Sequence, residues 1–261
     1  MNIEAIRVFL LDMDGTIYLG NKLLPGAIEF FDTLHRQGKK YYFLTNNSSS
    51  NAASYARKLL NLGLSGINPD QVITSGQCAA WHLRHIKRYS RVFLMGTREL
   101  ELEFLRFGFV LVQDQPDCVV LGYDKTLTWP KLEQASTLIR QGCPFYATHP
   151  DLNCPTESGL VIDIGSLIKA IEASTGVRPQ IFGKPFPEMV NYALERSGST
   201  REQTAILGDR LYTDIAMGKQ SGILSMLVLT GESRKSDITA SSWKPDLVFP
   251  SLKEINEALQ G

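Results

Sequence analysis

With 261 residues, 43% of them hydrophobic and 21% charged, the chain has the composition of a soluble globular protein and is long enough for one large or two medium domains. Its 27 basic and 27 acidic residues balance, which argues against nucleic acid or an anionic membrane as partner and leaves room for a small phosphate ester at a local site. Four cysteines without Cys-x-x-Cys or zinc-ligand spacing read as reduced thiols; with neither a signal-peptide pattern nor an apolar run of the roughly 18 residues a span needs, they point to the cytoplasm.

Short apolar runs alternate with amphipathic segments, the pattern of β-α-β units around a parallel sheet. Residues 6–11 predict a strand covered on both faces, ending in Asp12-Met-Asp14-Gly-Thr. Two carboxylates there repel unless a cation or shared proton offsets them, so the pair reads either as a metal-assisted site or as an acidic turn that uses Gly15. Pro25 opens a helix with Ile28, Phe31 and Leu34 on one face, closed by Gly38. A strand at 41–44 leads into Thr45-Asn46-Asn47-Ser48, whose hydroxyl and amides either bind an anion or cap the helix expected over 48–60. A short strand follows at 72–74. The next series has strands at 91–95, 118–121 and 145–147, with helices at 99–107, 131–140 and 165–173. Periodicity leaves open whether these extend one sheet or form a separate domain.

The last series places strands at 181–182, 205–207, 224–229 and 247–249, with helices at 187–196, 214–220 and 252–259. Gly183-Lys184-Pro185 follows the first of them, and the proline delays any helix, so Lys184 is either an active cation at a strand end or a surface lysine. In Gly208-Asp209-Arg-Leu-Tyr-Thr-Asp214, Asp214 could be only a helix cap, whereas Asp209 directly after a buried strand is placed to coordinate a cation.

Asp-x-Asp-Gly-Thr, Thr-Asn-Asn, Gly-Lys-Pro and Gly-Asp-x-x-x-x-Asp, in that order, resemble the four motifs of the haloacid dehalogenase superfamily of phosphohydrolases. The long insertion between the threonine and lysine motifs resembles the type-two cap of its NagD and p-nitrophenyl phosphatase-like subfamily, as do Thr148-His149-Pro150-Asp151 and Gly165-Ser166-Leu167. The resemblance implies an α/β architecture: a Rossmann-like, doubly wound parallel-sheet core over 1–75 and 181–261, with a smaller inserted α/β cap over 76–180. It implies a phosphatase for a small phosphorylated metabolite such as a sugar phosphate, with p-nitrophenyl phosphate as artificial substrate. Asp12 would be the nucleophile and Asp14 the general acid and base. Asp12, Asp14, Asp209 and Asp214 would form the Mg2+ site. Thr45, Asn46, Asn47 and Lys184 would hold the phosphoryl oxygens, and His149 and Asp151 would read the leaving group unless they are merely solvated loop residues. The cap would also be the route to a homo-oligomer. A phosphometabolite sensor with little turnover and a phosphomutase or phosphotransferase are the competing functions.

Overall fold

The structure is a computed structural model that describes residues 3–156 and 159–261. Its backbone divides into two compact units: Met1–Thr45, Ala52–Ile73 and Lys184–Gly261 form one, and Asn46–Asn51 with Thr74–Gly183 form the other. The boundaries thus fall at 73/74 and 183/184 instead of 75/76 and 180/181. A further departure is that Asn46–Asn51, expected in the core, associates with the inserted unit.

The first unit is built on a six-stranded sheet in the order Leu247–Phe249, Leu224–Val228, Thr204–Gly208, Val8–Leu11, Lys40–Thr45, Val72–Thr74. Val8–Leu11 is buried on both faces and pairs in parallel with Thr204–Gly208 on one side and Lys40–Thr45 on the other. Parallel neighbours need crossover helices, and chain order reverses at this central strand, so a crevice opens at its carboxyl end. In the helix Ala27–Arg36, Ala27, Phe30, Phe31 and Leu34 recur at helical spacing and face the sheet. Phe30 meets Phe9 edge-on with centroids 6.0 Å apart, and Phe31 packs on Tyr41 at 4.9 Å. Ile28, expected on that face, is instead exposed, because it flanks the buried stripe.

The helix expected over 48–60 begins only at Ala52. Asn47 explains the delay: its Oδ1 accepts the Ser49 N–H and hydroxyl, both at 2.8 Å, in a local turn that competes with helix formation.

The inserted unit has its own five-stranded parallel sheet, ordered Gln180–Ile181, Phe145–Ala147, Cys118–Leu121, Arg91–Met95, Val110–Leu111. Phe93, Val119, Leu121, Ile139 and Ile168 form part of a separate apolar core. The strand preceding Lys184, expected in the core sheet, pairs with Phe145–Ala147 here. An antiparallel hairpin, Asn153–Thr156 with Gly159–Ile162, completes this unit. Among the described residues no helix is long and apolar enough to cross a membrane.

Candidate active site

Three carboxylates converge in the first unit. Asp12 follows the central strand, Asp209 follows its neighbour Thr204–Gly208, and Asp214 lies in the π-helical turn Leu211–Ile215. One oxygen from each lies within 4.8 Å of the others, and Asp209 and Asp214 are buried. Such a cluster is electrostatically unfavourable by itself. Lys184 partly offsets it: the buried ammonium donates to Asp12 Oδ1 and, at 2.7 Å, to Asp214 Oδ1. Burial alone would lower this lysine's pKa, but the Asp12 and Asp214 charges outweigh it and hold the group protonated above its ordinary value. Lys184 therefore serves as a fixed cation.

The backbone shapes the rest of the cluster. Asp214 Oδ2 accepts the Arg210 N–H at 3.2 Å and Asp209 Oδ2 accepts the Glu232 N–H at 2.7 Å. Thr16 Oγ1 donates to Asp12 Oδ2 at 3.4 Å. A Cβ on Gly231 would sit 2.0 Å from Asp209 Oδ2, and one on Gly208 2.3 Å from the Asp214 Cβ, so both positions need glycine for space. Asp209 Oδ1 is buried and has no hydrogen-bond partner among the described residues. Burial, followed by the Asp12 and Asp214 charges, pushes Asp209 well above the usual carboxylate range. An enclosed, unpartnered carboxylate oxygen among acids fits a hard divalent cation with oxygen ligands.

Asp14 is exposed beside this cluster, bridged to Tyr18, with the Gly15 N–H donating to the Tyr18 carbonyl at 2.8 Å. Partial burial raises its pKa, against the opposing Lys58 charge; Asp12 adds to the rise and Arg210 opposes it. Thr45, half-buried, ends the adjoining strand Lys40–Thr45.

Asn46, Asn47, His149 and Asp151 lie in the inserted unit. Asn46 Nδ2 donates to both Asp151 oxygens, at 3.1 and 3.3 Å. His149 is fully buried, with Nδ1 3.0 Å from Thr148 Oγ1 and Nε2 3.0 Å from Asp163 Oδ1. Thr148 in turn meets Ser48 Oγ at 3.0 Å. This chain of bonds accounts for Asn46–Asn51 joining the inserted unit. It also corrects the sequence expectation for His149, which braces the loop instead of projecting from it, since both ring nitrogens are engaged. Asp163 gave no sequence signal beyond a helix N-cap. Neither Thr16 nor the Gly231-Glu232 turn carries a site signal of its own in the sequence, although the threonine is part of the first motif.

The haloacid dehalogenase-like hydrolase family matches residues 9–110, and a related HAD-hydrolase-like family matches residues 181–255. A 4-nitrophenylphosphatase from Thermotoga maritima superposes with a TM-score of 0.94 at 47% identity, covering 98% of each chain. The acid sugar phosphatase of Staphylococcus aureus is 33% identical over 98% of both sequences. The chain belongs to the haloacid dehalogenase-like hydrolases. It is a NagD-like phosphatase within that family. A glycerol phosphate phosphatase from Mycobacterium tuberculosis, solved in complex with magnesium, matches with a TM-score of 0.90 at 31% identity, over 98% of this chain and 79% of that one.

Proposed function

We propose that this phosphatase hydrolyses small phosphomonoesters, sugar phosphates among them, through an aspartyl phosphate on Asp12. The observation that carries the reading is the Asp12 carboxylate at the carboxyl edge of the central strand, engaged by the buried Lys184 and grouped with Asp209 and Asp214. The substrate class is supported by the names of its relatives, which act on nitrophenyl, sugar and glycerol phosphates.

Asp12 attacks phosphorus in line as the ester P–O bond breaks, and the leaving oxygen takes a proton from Asp14. Asp14 then removes a proton from water, which attacks the same phosphorus and releases phosphate with the Asp12 carboxylate restored. Thr45 and Lys184 hold the equatorial oxygens, and removing one such donor typically costs roughly 3 kcal/mol in rate. Mg2+ is the proposed cation, held by Asp12, the Asp14 carbonyl and Asp209 with Asp214 in support; it would offset the repulsion between anionic nucleophile and anionic ester.

Acid quenching during turnover, followed by peptide mass spectrometry, tests the mechanism. The expected result is a phosphoryl adduct on Asp12 that disappears when substrate is exhausted. Steady turnover without any adduct, together with an active Asp12→Asn enzyme, would overturn it. Binding of phosphate esters without phosphate release would instead identify a sensor.

A further inference from the structure

We propose that Lys58 is a positioning residue for Asp14, holding its carboxylate where it exchanges protons with the ester and with water; this rests on the acid–base role assigned to Asp14 above. Lys58 lies on the helix Ala52–Asn61, which buries Ala52, Ala56 and Leu59. Its neighbour one turn earlier is Tyr55, so the two side chains share a flank of the helix. The Lys58 ammonium sits 3.9 Å from the centre of the Tyr18 ring. Tyr18 is itself buried and joined to Asp14 by the β-bridge described above. The ring and the Asp14 backbone thus belong to one small loop, and a cation held over the ring face is fixed relative to both.

The other cations near the site have partners of their own. Arg210 forms an ion pair with Glu232 at 3.0 Å, and Lys184 is engaged by Asp12 and Asp214. Among the described residues, no carboxylate lies within the 4.0 Å salt-bridge distance of Lys58. Held over the Tyr18 ring, in the loop that also carries Asp14, its positive charge attracts that carboxylate across the loop. Attraction without contact suits an exposed acid–base group: it narrows the side chain's rotamer choice and leaves both oxygens open to the substrate. A salt bridge would occupy one of them.

The test uses phenyl phosphate and p-nitrophenyl phosphate, esters of nearly the same shape whose leaving groups differ in their need for a proton. Lys58→Met should lose about tenfold more kcat on phenyl phosphate than on p-nitrophenyl phosphate, and Lys58→Arg should recover most of it. Lys58→Gln provides a second neutral variant should methionine impair folding. In an Asp14→Asn background, Lys58→Met should cost less than about twofold, because coupled residues are not additive. Leaving-group dependence in Asp14→Asn but not in either neutral Lys58 variant would overturn the positioning role alone. So would a Lys58→Met loss that persists in full without Asp14. Absence of leaving-group dependence from Asp14→Asn itself would overturn the acid–base reading, and the role of Lys58 with it.

Discussion

The Asp209 carboxylate is anchored through Oδ2 by the Glu232 N–H, while Oδ1 is enclosed and unpartnered. A buried acceptor in that state costs about 1–3 kcal/mol, and a bound cation relieves the cost. Gly231 makes the arrangement possible, since any side chain there would strike Oδ2. Gly231→Ala should therefore weaken divalent-cation binding by at least about tenfold, some 1.4 kcal/mol. Titration calorimetry with Mg2+ checks this, and unchanged affinity would show that the turn yields without moving Asp209. Asp12→Asn tests the nucleophile separately. The amide keeps the side chain's shape, and Lys184 retains Asp214 as a partner. Turnover should fall on the order of 10^4-fold or more while the thermal midpoint changes little. Near-normal hydrolysis by this variant would contradict a covalent role.

Glu103 presents the reverse case, a buried acid whose burial favours its neutral form and pushes it up to about 7. It lies on the helix Arg98–Arg106 and accepts a hydrogen bond from Thr74 Oγ1 at 3.1 Å, while its Oε1 has no hydrogen-bond partner among the described residues. A carboxyl that titrates higher when folded than when unfolded favours folding most fully at pH values below its ordinary 4.5. That contribution declines as pH rises toward 7 and is then gone. The wild type should lose about 3 kcal/mol across this window relative to Glu103→Gln, a difference that parallel denaturant unfolding at pH 5 and pH 8 measures. Parallel curves for the two proteins would remove Glu103 as the cause. Thr74 also starts a helix absent from the sequence expectations: it caps Ser75–Trp81 by accepting the Gln77 N–H at 3.0 Å, and the Thr-x-x-Gln spacing is its signal. Strands buried on both faces, such as Cys118–Leu121 and Phe145–Ala147, were legible because their apolar runs are unbroken. The hairpin strand Gly159–Ile162 was not, since Leu160, Val161 and Ile162 are all exposed and no alternation marks a buried face. Among candidate site residues, Asp12 and Asp209 stand out in the sequence because each follows a buried apolar run, and Lys184 and Asp214 because they belong to the short motifs Gly-Lys-Pro and Gly-Asp-x-x-x-x-Asp. Asp163 and Lys58 do not, because only the fold brings them to His149 and Tyr18.

Each unit has a separate apolar core, one including Phe9, Phe30 and Phe43 and the other including Phe93 and Leu121. A lesion in one should therefore loosen that one first. Phe93→Ala should destabilise the inserted unit by about 3–5 kcal/mol. Hydrogen exchange is expected to accelerate in Arg91–Met95 and Cys118–Leu121 while Val8–Leu11 keeps its protection. Uniform acceleration across both sheets would mean that they unfold as one cooperative body. The pairing of Val8 with Thr204 has a consequence for how the protein is made. The strand that leads into Asp12 is made before the inserted unit, but one of its two neighbours in the sheet is made only after it. The nascent chain must therefore carry a half-covered apolar strand while the inserted unit is made. Meanwhile Thr74–Gly183 already contains a full sheet's worth of sequence and can collapse ahead of it. Asp12 cannot meet Asp209 until the strand Thr204–Gly208 has been made, so a chain stalled before residue 204 should fold the inserted unit and lack the three-carboxylate cluster.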